Sequence, residues 1–289
     1  MSLLEFIHDL GETDRTLTVV NRTEVDLVQD MLEDLFEGQP VRVTESTDET
    51  DPTSDRVLVD GGQVGEGQVG EGQVGEGQVD GGQVDGGQAE SGDSGFSSLD
   101  SIGNAVLFVN SDTYISGSRA IDEVETPDAL VALADTPFSV VGYPDTRKQK
   151  FLLIEMSRYI EARAWRAGAG TVHSGFQKLS RINDERGTRD VYDQLASTGL
   201  DVHIYGIPNW SPAPESSIRA HGTAGDEELL RSWFVIYEHA TDPSENAALV
   251  CYETGRNEWE GFWTFDSDRV ADVSDYVATR FQPDTRTAG

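Results

Sequence analysis

One cysteine, Cys251, stands in 289 residues. That excludes an intrachain disulfide and any thiolate-rich metal centre. It lies in the apolar run AALVCYE, where cysteine acts as a small buried hydrophobe. Lysine is nearly missing: Lys148, Lys150 and Lys178 are the only ones among 21 Lys+Arg. Against 53 Asp+Glu the formal net charge is −32. Phosphate contacts need a basic face, so direct nucleic-acid binding is not expected. No helix-turn-helix pattern or zinc-finger spacing occurs. Apolar runs fall short of the ~20 residues that span a bilayer, so no membrane segment is expected. The start, MSLLEFIHDLGETD, has no basic n-region, and the expectation is a cytoplasmic protein without a signal peptide. HExxH, GxSxG and GxxxxGK[ST] are absent, and GxGxxG does not follow a strand outside the glycine repeat. Metalloprotease, esterase and nucleotide-loop chemistry have no motif to stand on.

The acidity itself is informative. Carboxylates in excess, with arginine replacing lysine, keep a surface hydrated in molar salt, where screening reaches only ~3 Å. A halophilic, haloarchaeal source is the expectation. From residue 45 to 103 the chain changes character. Its centre is a repeat of five residues, GEGQV or DGGQV, running from Asp60 to Ala89. Glycine maximises backbone entropy, and one valine per unit does not offset that. A calcium-binding roll would run in units of nine with a fixed aspartate. The stretch is read as a disordered, acidic linker. Four parts are therefore expected: a small α/β segment over 1–44, the linker over 45–103, the main domain over 104–282, and a disordered tail over 283–289.

Periodicity supplies the elements. Residues 2–10 read as a short amphipathic helix and 16–20 as a strand. A helix from Thr23 carries Val25, Val28, Met31, Leu32, Leu35 and Phe36 on one face. Residues 41–43 follow as a strand. In the main domain AVLFVN (105–110) and FSVVG (138–142) read as strands flanking a helix opened by Thr126-Pro127-Asp128. A crossover of that length implies parallel pairing. A helix is expected over 187–196 and a strand over 202–206. Residues 207–226, rich in Pro, Ser and Gly, read as a long irregular loop, a length that usually marks function or disorder. SWFVIYE, AALVCYE and EGFWTF read as antiparallel strands, and Asp266 or Ser267 caps a last helix. The fold class is mixed α/β (α+β): a central mixed sheet flanked by helices, with the Gly-rich acidic insert.

The densest stretch is FLLIEMSRYIEARAWRAGAGTVHSGFQKLSR, residues 151–181. Leu152, Leu153, Met156, Tyr159, Ile160 and Ala164 mark a broad apolar face on a helix over 150–166. Glu155, Arg158 and Glu161 sit three apart, as ion pairs on its back. Gly168-Ala169-Gly170 ends the helix, an extended piece breaks at Gly175, and 179–185 reads as a polar connector. The candidate ligand site gathers here: Glu155, Arg158, Tyr159, Arg163, Trp165, Arg166, His173, Phe176 and Gln177, with Trp210 from the long loop as a lid. Arginines at this spacing suit bidentate recognition of an anion. His173 with Ser174, or Cys251 with any histidine, are the remaining options for a nucleophile and base. Scattered histidines and one cysteine give no metal set, and no cofactor is named.

The run EMSRYIEARAWRAGAGTVHSGFQKLSRINDERGT, followed by VYDQLA, VHIYG, WFVIY and GFWTFD, resembles the DICT sensory domain over roughly residues 104–282. That family occurs fused to diguanylate cyclases and two-component proteins, and as stand-alone haloarchaeal proteins. The resemblance implies a non-enzymatic sensory protein that binds a small ligand or a partner regulator. The partner expected is a histidine kinase or a transcription regulator. The alternative is an interaction module without a ligand; a small hydrolase or transferase ranks third. The GGDEF signature of the cyclases is missing, so output would belong to another chain.

Overall fold

A computed structural model describes residues 1–11, 13, 15–20, 33, 36–47, 49, 56–60, 96–98, 121–124, 128–141, 147–183, 186–256 and 258–282. The glycine repeat, the strand read at 105–110 and the tail at 283–289 lie outside them. The helix read from Thr23 lies almost wholly outside as well, although Phe36 within it is buried in the core.

Two mixed sheets order the chain. In the smaller, β1 (Arg15–Val20) pairs in parallel with β2 (Val41–Ser46) and antiparallel with β3 (Arg56–Asp60), which pairs with β4 (Phe96–Ser98). β1 and β2 fall on the strands read at 16–20 and 41–43. Strands β3 and β4 fall inside the stretch read as linker, so its two ends are corrected: RVLVD alternates buried and half-buried valines and leucine, and that apolar face pairs with β1. After the short helix α2 (Asp128–Val131), β5 (Phe138–Val141) begins the larger sheet. Its other strands are β6 (Ala169–Lys178), β7 (Gly199–Ile207), β8 (Arg219–His221), β9 (Ser232–Glu238), β10 (Ala247–Gly255) and β11 (Glu258–Thr264). Their order is β5-β11-β10-β9-β6-β7-β8. The three C-terminal strands pair antiparallel as read. β5 pairs antiparallel with β11 at one edge.

Helices cover both faces of the larger sheet. One face carries the helix Arg147–Ala167 (α3) and Arg186–Ala196 (α4), packed on Val172, Val202, Val235 and Leu249. The other carries Leu3–His8 (α1), Glu227–Arg231 (α5) and Ser267–Phe281 (α6), packed on Phe234, Ile236, Val250 and Phe262. Strand residues alternate between these two cores because successive side chains point to opposite faces. The N-terminal segment docks on the main domain. Ser2 caps α1 in a capping box with Glu5, and Leu3, Phe6 and Ile7 are buried against β10 and α6. At the other end of that segment, Gln39 bonds both the N–H and the carbonyl of Ser139 on edge strand β5. Asp266 caps α6 as read, accepting from the Arg269 N–H at 2.8 Å.

Several local readings are corrected. β6 runs on to Lys178, and the break read at Gly175 stands: the register with β7 shifts between Gly175 and Lys178. Residues 179–183 are a 3-10 turn with Leu179 and Ile182 buried, not a polar connector, because both close the core beneath α4. Helix α4 begins before Gly187-Thr188, at Arg186. The long loop contains β8, whose Arg219, Ala220 and His221 add a third parallel strand beside β7.

Candidate functional site

Helix α3 has two working stripes. Leu153, Met156, Ile160 and Ala164 are fully buried in the core. Ile154, Ser157, Arg158 and Glu161, at i, i+3, i+4 and i+7, share a second face, and all four line a cavity of about 510 Å³. Across from them stand Ser174 and Phe176 of β6, with Thr188 and Tyr192 one turn apart on α4. Trp233 of β9, Glu253 of β10 and Trp259 of β11 extend the wall across the sheet, while Lys178 and Arg181 hold one rim. The volume lies in the usual range of small-molecule sites.

Topology places the cavity. β6 has an antiparallel neighbour, β9, on one side and a parallel one, β7, on the other. The cavity sits over the C-terminal half of β6, where connections diverge and leave a crevice. Gly175 makes room for the residue opposite it on β9: a Cβ there would run into the Phe234 ring. Two residues on, Gln177 takes φ 58°, a conformation that costs a non-glycine residue about 1–3 kcal/mol and is found at functional sites. Its amide holds the Leu230 carbonyl at 2.8 Å, which ties the bulge to α5.

A buried polar network lines one side. Arg158 donates to Glu161 at 2.7 Å and to the Thr188 hydroxyl at 2.8 Å. Tyr192 donates to the other Glu161 oxygen at 2.9 Å. The Arg158 and Glu161 side chains are 13 % and 4 % exposed. The pair is thus buried at the cavity wall, not solvated on the helix back as the spacing alone implied. Burial, reinforced by the Glu161 charge, pushes the Tyr192 phenol well up and keeps it a donor. The Ser157 hydroxyl is also buried here, without a hydrogen-bond partner among the described residues.

Of the site residues expected from the sequence, Arg158, Phe176 and Gln177 meet at this cavity. The others do not line it. Arg163 binds the Glu245 and Ser244 carbonyls at 2.9 and 2.7 Å and the Glu245 carboxylate at 3.0 Å, fixing the 243–245 turn. Tyr159 stacks edge-on with Phe265 at 5.8 Å. Arg166 bonds the Val124 carbonyl at 2.6 Å, Glu155 is fully buried in α3, and Trp165 packs against the core. Trp210 lies under the Arg189 guanidinium at 5.5 Å rather than over the cavity. The helical period turns Arg163 and Arg166 away from Arg158, so three arginines on one helix serve three places. Ser157, Glu161, Thr188 and Tyr192 are site residues that sequence reasoning passed over, while Trp233, Trp259, Lys178 and Arg181 were weighed as pocket aromatics or as part of a cationic cluster without being placed in the site. The i, i+3, i+4, i+7 spacing of 154, 157, 158 and 161 was the available signal.

His173 faces the opposite side of the sheet. Its Nδ1 lies 2.7 Å from the Tyr205 hydroxyl. In register on the parallel strands stand His203 beside His173 and His221 beside Tyr205. His203 Nδ1 and His221 Nε2 are 2.8 Å apart, and Gln282, just past α6, donates to Tyr205 at 2.9 Å. Burial, then the neighbouring imidazole of His203, lowers His173 to about 3 and His221 to about 4. Adjacent residues of a strand point to opposite faces, so His173 and Ser174 do not form a nucleophile–base pair. Cys251 is fully buried and its thiol is pushed well up by burial. Among the described residues no group of His, Cys, Asp and Glu has the arrangement of a metal site.

Residues 132–254 match the family model DICT, described as a sensory domain in diguanylate cyclases and two-component systems. The matched segment runs from the end of α2 through most of β10 and holds every cavity residue except Trp259. No curated protein matches the sequence. Among solved structures, a polyphosphate kinase from Porphyromonas gingivalis is similar at 10 % identity and a TM-score of 0.33, over 54 % of this chain and 25 % of that one. The likeness thus spans a quarter of that protein.

Proposed function

From the premise of a DICT sensory domain over residues 132–254, we propose that the protein is a non-enzymatic sensor whose small-molecule site is the cavity at the C-terminal half of β6. A histidine kinase or transcription regulator then reads its bound state. One observation carries this reading: a cavity of about 510 Å³ whose wall combines aromatic rings with a buried Arg158–Glu161–Tyr192 network. An interaction module working without a ligand calls for an exposed apolar surface. Among the described residues Met1 is the one exposed large hydrophobic side chain.

The rim offers a route outward. Ser180, next to Arg181, is clamped to Asn209 by two hydrogen bonds of 2.9 Å, backbone N–H to Oδ1 and Nδ2 to the hydroxyl. The 207–226 loop is thereby tied to the cavity edge. A ligand that prefers one placement of the 3-10 turn biases the loop, in proportion to its differential affinity for the two states.

The test is native mass spectrometry of the full chain, equilibrated with the small-molecule fraction of the source cells. Wild type is expected to carry a stoichiometric added mass that is lost on denaturation. Ser157→Leu, which fills the cavity from α3, is expected to lack it. An apo mass for wild type, or the same adduct in both proteins, overturns the reading.

A further inference from the structure

We infer that the cavity takes a small aromatic anion, a carboxylate or phosphate on a flat ring, with the anionic group between Lys178 and Arg181. This rests on the reading of the cavity as the sensor's ligand site.

The argument begins with charge. Cations are scarce in this chain and carboxylates abundant, so an arginine readily finds an acidic partner. Arg158, Arg163, Arg189, Arg219, Arg269 and Arg280 do so, while Arg15, Arg166 and Arg231 are taken up by carbonyls or a ring face. Lys178 and Arg181 instead stand exposed at the cavity rim, in ion pairs with none of the described carboxylates. Two such cations three residues apart, across the end of β6 and the 3-10 turn that follows, form a fork for an oxyanion.

The carboxylates at the wall sharpen the polarity. Glu161 is already held by Arg158 and Tyr192. Glu253 lies on β10, two strands away from β6, or about 9–10 Å of sheet width. The anionic group therefore belongs at the β6 end, beside Lys178 and Arg181.

The middle of the cavity is aromatic. Phe176 and Tyr192 meet edge to face at 5.1 Å, and Trp233 is only partly buried, leaving ring surface free for an offset-stacked partner. Beside them the Ser157 hydroxyl, 6 % exposed as a residue, has no partner among the described residues. Native proteins rarely leave such a group unmade, and a polar substituent on the ring would satisfy it. Aromatic wall, buried serine hydroxyls and cationic rim together fit an organic anion better than a bare inorganic one.

The experiment is isothermal titration calorimetry of the full chain with 2-naphthoate, phenyl phosphate and the neutral 2-naphthamide at one fixed ionic strength. At least one of the two anions is expected to bind ten-fold or more tightly than the amide. The double variant Lys178→Gln/Arg181→Gln, exposed positions whose change leaves the core intact, is expected to erase that preference and leave the amide's affinity unchanged. Equal affinity for amide and anions, or an unaltered preference in the double variant, overturns the inference but leaves the cavity as a neutral-ligand site. No binding by any of the three at millimolar concentration also overturns it, and the adduct experiment then judges the sensor reading separately.

Discussion

Arg158 and Glu161 form a 2.7 Å ion pair across one turn of α3, and both side chains lie out of water at the wall of the cavity. A pair in that setting has an asymmetric energetics. Its formation contributes little net stability, but removing one member strands the other charge in a low dielectric. Arg158→Met is therefore expected to lower unfolding free energy by about 3–5 kcal/mol. Arg158→Met/Glu161→Gln, which keeps a neutral acceptor for Tyr192, is expected to regain more than half. Chemical denaturation of the three proteins measures this, and a double variant no more stable than the single one contradicts it.

Gly175 is required by packing rather than by backbone angle. The Cβ of an alanine there would collide with the Phe234 ring. Gly175→Ala is expected to cost about 1–3 kcal/mol, in the manner of overpacked cores. Phe234→Leu, although destabilising alone, is expected to reduce that cost when the two are combined. Thermal melts of the double-mutant cycle decide it; simple additivity would show that the two sites do not press on one another.

The N-terminal helix tests whether the early chain belongs to the main domain. Phe6 is 4 % exposed and packs edge-on against Tyr276 of α6 at 5.7 Å. Phe6→Ala is expected to destabilise the whole cooperative transition by about 3–5 kcal/mol. If the N-terminal segment were independent, the main transition would stay where it is in wild type.

The histidines across the sheet predict an acid limb. An imidazole in the unfolded chain titrates near 6.5, while His173 and His221 in the fold stay neutral down to about 3 and about 4. Between those values the unfolded state binds more protons. Their contribution is thus complete above pH 6.5 and is lost as pH falls through 4 and then 3. Asp201, Arg219 and His203 surround the group, so the readout is a difference. The melting-temperature gap between wild type and His173→Leu is expected to narrow steadily from pH 7 to pH 4. A gap that is flat over that window sinks the assignment.

Much of the architecture was legible in the chain. The apolar stripe of α3, the three closing strands and the Asp266 cap depend on near neighbours, and local spacing reports them. The long loop hid β8, because three residues with polar ends carry no alternation to read. The break in β6 was read at Gly175, but the left-handed conformation of Gln177 was silent. It arises where β6 leaves its parallel register with β7, and nothing in FQKLS marks it.

The site divided along the same line. Composition determined that lysine would be scarce and that carboxylates would outnumber cations, and helical period determined that Ile154, Ser157, Arg158 and Glu161 would share a face. Sequence alone made that face look like the solvent side of α3, because its residues are mostly polar. Only the tertiary structure, by laying it over the C-terminal half of β6 and against Thr188 and Tyr192, turned it into a cavity wall. The same folding sent Arg163 to the 243–245 turn and His173 through the sheet. Residues adjacent in sequence are separated by the 3.6-residue turn of a helix and the two-residue period of a strand. Convergence is decided by which elements pack together, and that is a property of the whole sheet rather than of any motif.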